Sequence, residues 1–212
     1  LSAYDLKVCI TEKKNDVATG ASCANSGIVH AGFDAKPGTL KAKMNVRGAE
    51  LMPQIAKELG VKYKNNGSLV IGFTEEDRET IKNLFERGKT NGVKNLKIVE
   101  KEELKKLEPN LSDHVLLALY APTAGIICPY ELTIASIGNA MDNGTELKLN
   151  FEVTDIREKD GYYEVCSEDA ALETKNIINV AGIYSDYIAK MVGDSSFIVH
   201  PRRGEYILLD KE

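Results

Sequence analysis

Glu12 closes a short apolar strand, Lys7-Val8-Cys9-Ile10-Thr11, and a run of small residues from Gly20 to Gly32 follows it. A carboxylate at the end of the second strand of a dinucleotide-binding fold grips ribose hydroxyls, with its phosphate-cradling glycine turn about 20 residues upstream. Only eleven residues precede Glu12. The sequence therefore predicts that the glycine turn lies outside this chain and that Leu1 is not a natural start. Leu1-Ser2-Ala3-Tyr4-Asp5 reads as the tail of the helix that follows such a turn. Ala21, Ser22, Ala24, Ser26, Gly27, Ala31 and Gly32 are small enough to let backbone approach a flat or phosphorylated ligand, and Ser22, Asn25 and Ser26 add hydrogen-bonding groups. Alone, this block suits a tight strand-to-helix loop equally well; its distance from Glu12 favours the ligand. A second and weaker block, Val180-Ala181-Gly182, ends an apolar stretch where a parallel sheet would present its carboxyl end.

Arg202 and Arg203 are natural anion hooks, because guanidinium binds carboxylate or phosphate in a planar, bidentate manner. Neighbouring strand residues face opposite ways, so one of the pair turns inward; the expectation is Arg203, with Tyr206 beside it. Lys36, Lys41, Lys43 and Arg47 read as a solvated helix face rather than an anion site. His30, His114 and His200 are far apart and no acid cluster has ligand spacing, so no metal is predicted. Cys9, Cys23, Cys128 and Cys166 lack C-x-x-C spacing. Cys9 and Cys166 lie in apolar strand patterns and are expected as buried thiols, a usage that suits a reducing cytoplasm.

Positioning these residues requires alternating strands and helices. Leu40, Met44, Leu51, Met52, Ile55 and Leu59 recur at near-helical spacing up to a stop at Gly60. A strand follows at Gly67–Phe73, then a helix capped by Thr74 and Asp77 that ends at Asn91-Gly92. Leu96–Val99 is a short strand before a charged helix that stops ahead of Pro109. Val115–Ala121 and Gly125–Pro129 precede a helix over Tyr130–Asp142. Strands are expected at Leu147–Phe151, Val153–Glu158 and Tyr162–Ser167, the last two joined by the hairpin signal Lys159-Asp160-Gly161. Asn176–Gly182 reads as a buried strand leading to a helix over Tyr184–Val192, with further strands at Phe197–His200 and Glu205–Leu209.

At 212 residues, with 43% hydrophobic and 28% charged content, the chain can bury a core for one large or two interleaved domains. Its net charge of −5 argues against a nucleic-acid-binding surface. No apolar run approaches the length of a membrane span; peripheral membrane association stays open.

Taken together, Glu12, Gly20-Ala21-Ser22, Asn25-Ser26-Gly27, His30-Ala31-Gly32, Phe151-Glu152-Val153, Asn179-Val180-Ala181-Gly182 and Pro201-Arg202-Arg203-Gly204-Glu205-Tyr206 cover almost the whole chain. In order and spacing they resemble the FAD-dependent oxidoreductases of the D-amino-acid-oxidase superfamily. The Pro201–Tyr206 segment resembles the anaerobic type of glycerol-3-phosphate dehydrogenase. His30-Ala31-Gly32 with Lys36–Ala42 resembles the L-2-hydroxyglutarate dehydrogenase and oxidase group. The resemblance implies an α/β (mixed α+β) architecture, with a partial Rossmann-like FAD-binding domain at 1–38 and 145–194 and a substrate-side domain at 39–143 and 197–212.

It also implies that Glu12 binds the adenosine ribose and that Ser22, Asn25, Ser26 and Gly27 line the pyrophosphate and flavin. The Val153 backbone would meet the adenine, and Ala181 and Gly182 would pass the phosphates and ribityl chain. His30 would either take the substrate proton or pack under the flavin; Arg203 and Tyr206 would hold a small anionic substrate. Where several glycerol-3-phosphate dehydrogenases carry an Arg-Tyr pair after the His-x-Gly, this chain has Phe33-Asp34-Ala35, which counts against a phosphate-specific pocket. The family's last flavin-contacting strand and helix would follow Glu212, so the expectation for this chain alone is weak or absent FAD binding and no activity. A non-catalytic domain that has lost the cofactor is the contrasting reading. The resemblance assigns no electron acceptor.

Overall fold

The computed structural model describes residues 1–207. In chain order its elements are β1 (Cys9–Thr11), β2 (Ile28–Val29), α1 (Leu40–Glu58), β3 (Tyr63–Lys64), β4 (Ser68–Gly72), α2 (Glu75–Asn91), β5 (Lys97–Glu100), α3 (Lys101–Leu107), β6 (Leu117–Ala121), β7 (Gly125–Ile127), α4 (Pro129–Asp142), β8 (Glu146–Lys148), β9 (Asp155–Lys159), β10 (Tyr162–Cys166), β11 (Ala171–Thr174) and α5 (Ser185–Met191). This is a mixed α/β fold with several small sheets.

The chain divides into two compact units, one of Leu1–Ala3 with Ala18–Gly144, the other of Tyr4–Val17 with the chain from Thr145 onward. In the first unit β6 lies between β4 and β5, antiparallel to both, and β7 lies between β2 and β3. Leu117 and Leu119 of β6 are fully buried and share a core with Ile81, Val93, Leu96 and Ala31. The helix α1 starts where the Thr39 hydroxyl accepts the Ala42 N–H, and it buries only small side chains, Ala42, Ala49 and Ala56. That small face lets neighbouring backbone approach closely.

The helix α2 begins in a capping box: Thr74 Oγ1 accepts from the Asp77 N–H, and Asp77 Oδ2 accepts from the N–H groups of Thr74 and Phe73. These bonds hold the Asp77 carboxyl below its ordinary range, the Phe73 N–H contributing most. A depressed carboxyl contributes stability that is complete above its unfolded pKa near 3.9 and is lost as pH falls through the folded value. Thr74→Ala should cost about 1 kcal/mol at neutral pH. Asp77→Asn instead removes the ionised acceptor, so in denaturant titrations its difference from wild type should shrink as pH falls from 7 toward the folded value of Asp77; a difference that does not change with pH would contradict the carboxylate cap.

In the second unit β1 pairs in parallel with β8, and β9, β10 and β11 form an antiparallel meander. The β9–β10 turn is the expected hairpin, with Gly161 at φ +83. Phe151, Ile156 and Val165 form its core, with Ile188 and Met191 of α5 packed against them.

Several expectations are corrected. Residues 1–5 form turns and bends rather than a helical tail. Asn176–Val180 is irregular, and Ile178 and Val180 are 62% and 81% exposed. Among the described residues this segment has no partner strand, and an unpaired strand leaves its own N–H and C=O groups without a ladder. Phe197–His200 is irregular for the same reason, as is Glu205–Ile207; the rest of the strand expected over Glu205–Leu209 lies outside the described residues. Cys166 is buried but Cys9 is exposed, because β1 belongs to a sheet of only two strands.

The units also divide at other residues than the expected boundaries at 38 and 194. Segment 18–38 joins the first unit because β2 pairs with β7 and Asn91 of α2 binds the carbonyls of Gly32 and Ala35. Segment 195–207 joins the second, where Phe197 shares a cleft with Ile156 of β9 and Ile188 of α5. No helix among the described residues is long and apolar enough to cross a membrane.

Candidate functional site

Glu12 stands one residue beyond β1, with its backbone pinned on both sides. Its N–H donates to the Lys148 carbonyl and its own carbonyl accepts from the Phe151 N–H, each at 2.9 Å. One carboxylate oxygen accepts from the Lys14 N–H at 2.9 Å. An ionised carboxylate has about four acceptor positions, so a pair of ribose hydroxyls can still be held. The adjoining Lys13 places its Nζ 3.7 Å from the centroid of the Tyr184 ring. This cation–π contact ties the end of β1 to the 3-10 turn Gly182–Tyr184. Lys13, next to Glu12, and Tyr184, two residues beyond Gly182, thus meet inside one unit.

Asn179 and Ser185 build that turn. Asn179 Oδ1 accepts from the Ala181 N–H at 3.2 Å, its Nδ2 donates to the Ser185 carbonyl at 2.7 Å, and Ser185 Oγ donates to the Gly182 carbonyl at 2.7 Å. Gly182 has φ +58, and a Cβ there would meet nothing within 4 Å. Glycine serves the backbone here, and the space beside it stays open. Val153 is half-buried against the Phe151 and Ile156 core. Among the described residues its backbone N–H and C=O have no intramolecular partner, which leaves them available to a heteroaromatic edge.

Arg203 and Tyr206 are not gathered with these groups. Residues 201–207 are irregular and exposed, so the inward and outward alternation expected of Arg202 and Arg203 is absent. The Arg203 Nε faces Glu205 Oε1 at 3.8 Å, with both side chains in solvent. An open cleft of about 580 Å³ in this unit, bordered by Lys175, Asn179 and Asp194, is lined by none of Glu12, Val153, Gly182 or Arg203.

The remaining candidates lie in the first unit. In the loop from Gly20 to Gly27, Asn25 folds the chain on itself: its Nδ2 donates to the carbonyls of Ala21 and Ser22, and its Oδ1 accepts from the Gly27 N–H at 2.8 Å. Its amide is therefore occupied by its own loop, unlike the free ligand-binding group the sequence suggests. Ser22 and Ser26 differ, since among the described residues their hydroxyls and N–H groups have no intramolecular partner.

Gly27 and Gly32 are small for internal reasons. A Cβ on Gly27, at φ +66, would stand 2.4 Å from the Ile127 carbonyl oxygen, and one on Gly32, at φ +105, would stand 2.6 Å from Val46 Cγ2. His30 follows β2 with its side chain exposed, while Ala31 and Gly32 turn inward. Its carbonyl accepts from Asn45 Nδ2 at 2.8 Å. The sequence marks Asn91 only as a helix stop and Asn179 only within a motif, and Asn45 not at all, because an asparagine carries no mark of which distant carbonyl it will bind.

The sequence profile of the family described as DAO, FAD dependent oxidoreductase, matches residues 1–212. A glycerol 3-phosphate dehydrogenase of Caloramator mitchellensis is 46% identical over 211 residues, covering 100% of this chain and 44% of that protein. A mitochondrial L-2-hydroxyglutarate dehydrogenase of Pongo abelii is 32% identical, covering 98% of this chain and 52% of that protein. Among solved structures, the dithionite-reduced L-alpha-glycerophosphate oxidase of Mycoplasma pneumoniae with FAD bound superposes with a TM-score of 0.83 at 32% identity, covering 90% of this chain and 51% of that one. The chain spans about half the length of these relatives.

Proposed function

Because this chain belongs to the DAO family of FAD dependent oxidoreductases, we propose that the intact protein is a dehydrogenase that oxidises a small anionic alcohol, with glycerol 3-phosphate as substrate. The observation that carries this reading is the 46% identity to a glycerol 3-phosphate dehydrogenase across the full chain. The groups described above suit the cofactor: the pinned Glu12 carboxylate for a ribose, the free Ser22 and Ser26 hydroxyls for phosphate oxygens, the open turn at Gly182 and the unpartnered Val153 backbone. Held by this chain alone, FAD is expected to bind weakly or not at all. Four free cysteines, three of them exposed, support a reducing, cytoplasmic location.

Oxidation of an alcohol to a carbonyl removes a hydride from carbon and a proton from the hydroxyl. FAD supplies the hydride acceptor when bound. His30 takes the proton on an imidazole nitrogen, acting as general base. Arg203 holds the substrate's anionic end. Its guanidinium is exposed and only loosely engaged by Glu205, so an incoming phosphate or carboxylate meets little competition.

Glycerol 3-phosphate and L-2-hydroxyglutarate should both be offered to the intact protein with an artificial electron acceptor. Turnover of the first is expected. Turnover of L-2-hydroxyglutarate alone would favour the second reading, which rests on the 32% identity to that dehydrogenase and on Asp34, an acid unsuited to a phosphate pocket. Turnover of neither would sink both. In the same assay Arg203→Ala should raise KM roughly tenfold to a hundredfold, the value of one charge-assisted hydrogen bond. An unchanged KM for Arg203→Ala would remove Arg203 from the substrate site.

A further inference from the structure

His30 has no side-chain partner among the described residues, so where its imidazole stands is decided by its backbone. That backbone is held in an unusual way. From His30 to Ala35 the chain is neither strand nor helix, yet four of its six carbonyls accept from side chains of two helices. Asn45 of α1 donates to His30 O at 2.8 Å. Asn91, the last residue of α2, donates to both Gly32 O at 2.9 Å and Ala35 O at 2.8 Å. Arg87 of α2 donates to Asp34 O at 2.9 Å.

The apolar side of the segment is equally fixed. Ala31, Gly32 and Ala35 are buried, Gly32 lies against Val46 of α1, and Phe33 lies against Gly88 of α2. Asn91 also carries a cost: its Oδ1 is buried without a partner. A buried acceptor left unpaired is destabilising, and an apolar residue at this helix end would avoid it. Fixing two carbonyls of one short loop with a single amide is what the Asn91 side chain achieves.

We infer that Asn45 and Asn91 are positioning residues that hold the His30 backbone so that the imidazole is presented at one fixed place. The inference rests on the reading above, in which His30 takes the substrate's hydroxyl proton. Displacing a reacting group by about 1 Å can slow a reaction on the order of a hundredfold, and a loop released at one carbonyl moves on that scale.

Asn45→Ala in the intact protein should lower kcat per bound flavin about tenfold and leave KM within about twofold, since His30 and not the anion hook is displaced. Asn45→Gln, which can still donate to His30 O, should restore most of the rate. Asn45→Asp keeps the size and loses the donor, so it serves if the alanine variant does not fold; Asn91→Asp should act in the same direction. The second readout needs no turnover. In the 212-residue chain the His30 ring resonance, assigned by its loss in His30→Gln, should move toward the free-histidine position in Asn45→Ala and Asn91→Asp, with faster amide exchange over Ala31–Ala35 and none over β6. An unmoved ring resonance, unchanged exchange, or unchanged kcat in a protein active on either substrate would overturn the inference. If the wild-type protein turns over neither substrate, the proposed function falls, and the ring resonance still decides whether Asn45 and Asn91 position His30.

Discussion

Exchanging His30 for glutamine in the intact protein should lower kcat by a factor of roughly a hundred to ten thousand, the contribution of a positioned general base. Glutamine retains a hydrogen-bonding group of similar reach but cannot accept a proton near neutral pH. The exposed side chain of His30 makes the substitution structurally mild, so the folding midpoint should stay within about half a kcal/mol of wild type. A variant that keeps its rate would assign His30 to packing or hydrogen bonding beneath the ring system instead.

The second large effect is structural. Gly27→Ala should destabilise the first unit by roughly 2–5 kcal/mol, combining about 1–2 kcal/mol for an L side chain in the left-handed region with about 1–3 kcal/mol for the steric clash. The obstacle is the Ile127 carbonyl at 2.4 Å, a backbone atom that also neighbours the Ile127 N–H donating to Gly27 O at 2.9 Å. The β2–β7 pairing must open for the methyl to fit, and His30 sits directly after β2. Chemical denaturation followed by circular dichroism measures the loss. Gly20→Ala is the control: it lies in the same loop at a position where a Cβ meets nothing within 4 Å, and it should be nearly neutral. Equal losses at the two positions would contradict this account.

What the sequence carried well was local. Thr74 and Asp77 announce a helix start because their side chains satisfy N–H groups three residues away, and Asp160-Gly161 announces a hairpin because few residues adopt its backbone angles. The helices over Leu40–Glu58, Glu75–Asn91 and Pro129–Asp142 were legible for similar reasons. What failed depended on partners. Asn176–Val180 has the composition of an inner strand, yet composition cannot supply a neighbour to pair with. The two-residue strands Ile28–Val29 and Tyr63–Lys64 exist only because Gly125–Ile127 runs between them. The small-residue block was found, but its meaning was split: Ser22 and Ser26 remain open, while Gly27, Gly32 and Asn25 answer to the protein's own packing. The clamp on His30–Ala35 was invisible, since its donors lie up to 59 positions away from the carbonyls they hold.

The pairing of Cys9 with Glu146 sets an order of events for the nascent chain. Bringing those two residues together across an unstructured loop costs roughly 4 kcal/mol of closure entropy, and three short residue pairs return little of it. The intervening segment Ala18–Gly144 is continuous and owns the Leu117 and Leu119 core, so it can collapse first on contacts of its own. Once it has done so, the effective loop between β1 and β8 shrinks to the few residues at its edges. Folding of the second unit should therefore be kinetically slaved to the first: a core lesion such as Leu119→Ala would delay formation of the Glu12 segment, and in refolding, amide protection over Tyr162–Cys166 should appear after that over Leu117–Ala121.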